Sequence, residues 1–209
     1  MKFLLFVEGH TEKRAVGQFL ARWLNARLSR RVGLVVINLR GSGRFGKGVV
    51  EQAGFHLARD TAGQIVAAIG LLDLYRGADW PAEKVTPAER YAWGVRHYEK
   101  TVGNDRFRMF FAVHETEAWL LSDPGIFRPE VGRRIRPEWS AQPEEVDFDD
   151  PPARRLQAAY RVAANRAYRK ALDGPNLFAR LDPQTAYEKC PHLKALLDTM
   201  LELAQDAGL

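Results

Sequence analysis

Cysteine is almost missing from this chain, with Cys190 the single one in 209 residues. One thiol excludes a disulfide framework and a thiolate zinc site within one chain. No apolar run approaches the roughly 20 residues that a membrane-spanning helix needs. The apolar start breaks at Glu8, too soon for a secretory signal. Internal repeats and low-complexity tracts are lacking too. The sequence therefore reads as a cytoplasmic globular chain that makes no use of a membrane. Its 46% hydrophobic and 27% charged residues agree with that reading. Acid is in deficit: 26 Asp and Glu stand against 31 Lys and Arg, a net charge of +5. Most of the excess is arginine, which suits an anionic partner, phosphate above all.

Four short apolar runs predict strands: Lys2 to Val7, Val32 to Leu39, Gln64 to Leu72 and Arg108 to Val113. Helical patterns fall between them. The first runs from about Glu12 to Leu28 with Thr11 as cap, and a weaker one from Val49 to Asp60. A third opens at Thr86 or Pro87 and reaches about Thr101. Ala118 to Leu121 reads as a turn of buried helix. Alternating strand and helix imply a mostly parallel four-stranded sheet flanked by helices, an α/β fold. Beyond residue 128 the character changes. An acidic stretch from Glu144 to Asp150 precedes a helix opened by Pro151-Pro152. Gly174 reads as a helix stop, and Pro183 to Leu203 as a last helix or pair broken at Cys190-Pro-His192. The expected division is an α/β domain over 1–128 and a helical extension over 129–209 that covers the sheet.

Three of the strands end in acid: Glu8 after the first, Asp73 after the third, Glu115 and Glu117 after the fourth. A parallel sheet would gather these carboxylates on one edge, where open α/β sheets build their sites. Two unit charges 4 Å apart repel by about 4 kcal/mol at an effective dielectric near 20. A proton or a cation must join such a group, and a hard divalent ion, Mg²⁺ or Mn²⁺, suits all-oxygen ligands. Glu115 and Glu117 would face one side of a strand but diverge in a helix. His10 and His114 flank the acids as hydrogen-bonding neighbours. Glu8 has a plainer reading as a solvated loop residue, and Lys170 as a surface lysine instead of a phosphate contact. Trp80, Trp93, Trp119 and Trp139 fit a core better than base stacking.

The second strand leads into Arg40-Gly-Ser-Gly-Arg-Phe-Gly-Lys-Gly48, one residue from a phosphate-binding P-loop. Gly48 stands where that loop carries the magnesium-binding hydroxyl, and the motif follows the second strand instead of the leading one. The stretch reads as a mobile basic loop in which Arg40, Arg44 and Lys47 touch phosphate, joined by Arg76 beyond the third strand.

Val7-Glu-Gly-His-Thr-Glu12 and Leu72-Asp-Leu-Tyr75 resemble the two acidic motifs of Toprim domains, found in topoisomerases, primases and overcoming-lysogenization-defect nucleases. His114-Glu-Thr-Glu-Ala-Trp119, Tyr168-Arg-Lys-Ala-Leu-Asp-Gly174 and Cys190-Pro-His192 resemble a Toprim-related bacterial family encoded beside ATPases in defence loci. The resemblance implies a Toprim-like, Rossmann-like fold and an enzyme that cleaves nucleic-acid phosphodiesters, DNA or RNA, with Mg²⁺ or Mn²⁺. It implies catalytic and metal roles for Glu8, Asp73, Glu115 and Glu117, a charge-stabilising role for Lys170, a partner ATPase and self-association. Toprim domains carry D-x-D at the second motif, and here Tyr75 holds the second acidic position. Either Glu115 or Glu117 supplies the missing oxygen, or the chain is a non-catalytic subunit that binds nucleic acid or nucleotide.

Overall fold

The computed structural model of the chain describes residues 1–9, 15–39, 42–74, 80–145 and 150–209, and the side chains of 42–45 are left aside. Four parallel strands form one sheet: β1 (Lys2–Val7), β2 (Gly33–Asn38), β3 (Ile65–Asp73) and β4 (Phe107–Ala112), in the order β2-β1-β3-β4. The order reverses between β1 and β3. That reversal is the topological switch point at which open α/β sheets leave a crevice beyond the strand ends. All four strands point the same way, so their carboxyl ends share one edge.

Alternation along the strands sends side chains to two cores. On one face Leu4, Phe6, Ala68, Leu72 and Phe111 pack under α2 (Ser42–Ala58) and α3 (Pro87–Val102). On the other face Phe3, Leu5, Ile69, Leu71 and Phe110 meet α1 (Gly17–Asn25) and the helices beyond residue 128. Those helices follow α4 (Glu117–Leu121): α5 (Pro129–Gly132), α6 (Pro137–Ala141), α7 (Pro152–Ala164), α8 (Lys170–Arg180), α9 (Pro183–Lys189) and α10 (Pro191–Asp206). The last two are the expected pair, broken at Cys190. The apolar residues of β1 and β3 are all buried, as their uninterrupted runs require, and only Lys2 and Asp73 at the strand ends are partly exposed. β2 departs from the buried strand that its sequence suggests: it lies at the sheet edge, and Val35 is 43% exposed.

Two helices also differ from the sequence pattern. α2 begins at Ser42, so most of the glycine-rich stretch read as a loop is helical from the start. Two of its glycines, Gly46 and Gly48, sit in close packing. A side chain at Gly46 would meet the Tyr98 hydroxyl at 3.1 Å, and one at Gly48 would touch Leu39. Lys47 sits in the second turn of that helix, exposed, 3.8 Å from Glu51 one turn on. A P-loop holds its lysine where the loop enters the helix, so this geometry removes the P-loop reading. Gly174 likewise does not stop a helix, because it and Pro175 lie inside α8. Thr11, the expected cap of the first helix, lies outside the described residues.

α3 starts as its sequence demands. Thr86 and Glu89 form a reciprocal capping box, and Pro87 occupies the first helical position. α10 is held differently, because Cys190 at its N-cap offers no side-chain bond. The carboxylate of Glu144 accepts instead from the backbone N–H of His192 (2.7 Å) and of Leu193 (3.2 Å). Burial pushes the Glu144 carboxyl up to about 7 despite those two donors. The folded chain therefore holds a proton there between about pH 4.5 and 7 that the unfolded chain has lost. The contribution of Glu144 to stability is greatest below that window and declines by up to about 3 kcal/mol across it. His192, whose pKa burial lowers, titrates in the opposite sense. In Glu144→Gln, which keeps His192, the fall in unfolding temperature between pH 5 and pH 8 should be smaller than in the parent. Parallel pH–stability curves by calorimetry would refute this.

Candidate functional site

At the carboxyl edge, β1 runs into the turn at Glu8 and β3 ends at Asp73. The register pairs Val7 with Leu71, so Glu8 follows onto the level of Leu72, one residue short of Asp73. Neighbouring strands lie about 4.8 Å apart, so the backbones of Glu8 and Asp73 occupy adjacent strand ends of that edge. Asp73 alternates with Leu72 and so belongs to the sheet face covered by the C-terminal helices.

β4 ends at Ala112, and the chain then turns sharply at His114, which is buried with φ 63°. This left-handed conformation is uncommon outside glycine and several-fold enriched in histidine. It closes a tight turn in which the Glu115 N–H donates to the Val113 carbonyl at 3.0 Å. The turn aims the Thr116 N–H at Asp73 Oδ1, 3.0 Å away. Glu117 then opens α4, so Glu115 and Glu117 straddle a turn and a helix instead of lying on one strand, and their carboxylates part. Glu115 Oε2 accepts from the Ala153 N–H at 3.0 Å, one of the unpaired donors in the first turn of α7. Glu117 turns inward and is 1% exposed.

Two residues of the stretch after α7 meet Glu117 there. Lys170 Nζ donates to Glu117 Oε2 at 2.9 Å and to Asp73 Oδ2 at 3.4 Å, so one ammonium joins acids from β3 and α4. The Tyr168 hydroxyl donates to Glu117 Oε1 at 3.4 Å, and burial keeps that phenol protonated. Burial also raises the Glu117 carboxyl well above its ordinary value, and the charges of Asp73 and Glu115 add to the shift. The Lys170 ammonium opposes it. Lys170 is still 36% exposed and the Asp73 side chain 14%, so this end of the cluster meets solvent while Glu117 is sealed.

Lys170 is held in position by its own helix start. Arg166 forms a fork with Asp173, both bonds 2.8 Å, and Asp173 also accepts from the Arg169 N–H at 2.8 Å. The motif from Tyr168 to Gly174 thus divides its labour: Tyr168 and Lys170 meet the acids, and Asp173 fixes the turn that carries them. At the other end of α8, Arg22 donates to the carbonyls of Phe178, Ala179 and Leu181. Arg22 belongs to α1, the helix that follows the Glu8 turn.

Four of the five expected catalytic residues therefore share one described cluster, Asp73, Glu115, Glu117 and Lys170, with Glu8 on the adjacent strand end. His10, Arg40, Tyr75 and Arg76 lie outside the described residues, as does the side chain of Arg44. Lys47 is an exposed residue of α2. Trp119 is core, stacked on Phe19. Sequence reasoning missed Arg166, the Tyr168 hydroxyl and the Ala153 N–H. Only the last had a signal, since Pro151-Pro152 marks a helix start with donors to spare.

The fold and site define a parallel α/β protein with a lysine-bridged acid cluster at the carboxyl edge of its sheet. The chain belongs to the family described as domain of unknown function DUF4276, whose model matches residues 7–201. No curated protein sequence matches it. Among solved structures it is similar to the C-terminal region of the OLD protein of Xanthomonas campestris pv. campestris, in two determinations. The first shows 15% identity over 99% of this chain and 95% of that one, with a TM-score of 0.46. The second shows 17% identity over 99% and 98%, with the same TM-score.

The Lys170–Glu117 pair sets a pH signature. A raised carboxyl contributes stability that is fully present below its unfolded value and is lost as pH rises through the folded one. Removing the ammonium raises Glu117 further and extends that loss to higher pH. Lys170→Met should therefore cost little at pH 6, where Glu117 takes up a proton. At pH 8.5 it should cost about 1–3 kcal/mol, below the range for a fully buried pair because Lys170 is partly solvated. Glu117→Gln should remove the difference between the two pH values. Urea titrations of both single variants and the double variant check this, and an equal cost at both pH values would contradict it.

Proposed function

We propose that the chain is a metal-dependent nuclease-type enzyme that cleaves phosphodiester bonds of nucleic acid at the β1/β3 switch point. One observation carries the reading: an acid–lysine cluster, Asp73–Lys170–Glu117, with Glu117 sealed and Lys170 partly exposed, stands at the carboxyl edge of the sheet on the strand next to the one that ends at Glu8. Strong desolvation combined with a specific charge partner in a crevice is the pattern of working sites.

Among the described residues, no three His, Cys, Asp or Glu side chains form a ready cage for an ion. A cage is not what magnesium requires. It keeps several waters and is held through one or two carboxylates plus substrate phosphate. Glu8 and Asp73 fit that role, one from each strand beside the crevice and with Asp73 partly open to solvent. Glu115 and Glu117 suit it less, because they are sealed from solvent at 4% and 1% exposure, whereas Asp73, although it accepts from the Thr116 N–H and from Lys170, keeps its side chain 14% exposed. This shifts the ligand role from the four acids to Glu8 and Asp73. Glu115 and Glu117 then orient α7 and Lys170. The bound ion would polarise a phosphate and acidify a water. Lys170, exposed at its tip and anchored at Glu117, supplies positive charge for the phosphate oxygens.

A second reading is favoured by the same lysine. Its ammonium already offsets Asp73 and Glu117, so the cluster stands without an ion, as in a subunit that binds nucleic acid and no longer cuts it. Mn²⁺ titration followed by electron paramagnetic resonance separates the two. The enzyme reading expects uptake by the parent, its loss in Glu8→Gln and Asp73→Asn, and its persistence in Glu115→Gln. Cleavage of labelled DNA or RNA should follow the same order. A parent that takes up no Mn²⁺ and cuts neither substrate would establish the non-catalytic reading.

A further inference from the structure

Glu115 anchors the first turn of α7, and the same helix lines a groove that the acid cluster does not use. Two adjoining hollows, about 350 and 440 Å³, run between α5–α6 and the outer face of α7, sharing Arg134 and Val162. Four arginines line them: Arg133, Arg134, Arg136 and Arg155. Two acids, Glu130 and Asp150, also line them, so the groove keeps a positive excess.

The arginines differ in how they are held. Arg155 bonds the Asp150 carbonyl at 3.0 Å and lies 4.4 Å from the Trp139 ring. Arg136 lies 5.1 Å from the same ring and 3.8 Å from Glu138. Trp139 thus takes two guanidinium groups and orders them, as aromatic faces do for cations. Arg133 and Arg134 are exposed, and neither has a carboxylate partner within ion-pair distance among the described residues. Guanidinium forks match phosphate oxygens in pairs.

The position of the groove gives this charge a use. Ala153 touches the acid cluster through Glu115, and Val162 lies nine residues further along the same helix. At 1.5 Å per residue the groove extends about 13 Å from the cluster. One strand of a duplex places a phosphate every 3.4 Å or so of axis, so several phosphates span that distance. We propose that this groove is the path of a nucleic-acid backbone whose next phosphate reaches the Asp73–Lys170 site. The inference rests on the nuclease reading of that site and adds where the substrate lies.

Binding is read by fluorescence anisotropy with a labelled 20-nucleotide single strand, the matching duplex and the RNA of the same sequence. EDTA is present so that no cleavage intervenes, and sodium chloride runs from 50 to 200 mM. Arg133→Ala with Arg134→Ala should weaken binding about tenfold. Its plot of log affinity against log salt should be shallower by about 1.4 for a single strand and 1.8 for the duplex, the loss of two phosphate contacts. Arg133→Lys with Arg134→Lys should restore most of the slope. Arg96→Ala with Lys100→Ala, exposed on α3 across the sheet, should change neither quantity. Unchanged affinity and slope in the Arg133/Arg134 variant would overturn the path while Mn²⁺ uptake still upheld the site. A parent that binds no nucleic acid, or binds polyglutamate or anionic phospholipid vesicles equally well, would overturn it too.

Discussion

A carboxylate sealed from water is the constraint on which this architecture turns. Burial pushes the ionisation of Glu117 up, and the charges of Asp73 and Glu115 act on it in the same direction. Holding the charged form there carries a cost. The Lys170 ammonium and the Tyr168 hydroxyl relieve it, and both arrive from beyond α7. The end of β4 can therefore fold inward only if the C-terminal helices are docked. The sheet and its helical cover are in this sense one electrostatic unit.

Docking in turn depends on fixing both ends of α8. The Arg166–Asp173 fork sets the residue from which Lys170 projects, while Arg22 gathers the terminal carbonyls of the same helix. Arg22 sits on α1, which leads away from the Glu8 turn. Three hydrogen bonds thus tie α1 to α8 across distant parts of the sequence.

Much of this was legible in the sequence, and what was not has identifiable causes. The strands were readable because β1, β3 and β4 are buried and so nearly uninterrupted in apolar residues. Acids placed just past those runs had to meet once the strands were parallel. α2 was misjudged because Gly43, Gly46 and Gly48 weaken helix propensity, while packing against Tyr98 and Leu39 decides the matter. Gly174 misled because glycine disfavours helix interiors, yet it lies buried inside α8. The parting of Glu115 from Glu117 depends on the positive φ of His114, a feature no periodicity reveals. The Lys170–Asp73 contact spans 97 residues and leaves no local pattern at all.

The cluster also bears on whether the site works or is a remnant. A buried ion pair is a poor way to stabilise a fold, because apolar residues of equal volume often serve as well or better. Here the pair does not even balance: one ammonium serves two acids, Asp73 and Glu117, and Glu117 is held far from its ordinary ionisation. A purely structural edge would be better served by leucine at 117 and asparagine at 73. A site that must receive a phosphate beside a cation needs the opposite. It needs anchored acid, a positive group with a free approach to solvent, and an unfilled place at the strand ends. Asp73 and Lys170 keep their solvent-facing ends open while Glu117 is sealed behind them, an asymmetry that an edge built of leucine and asparagine would lack.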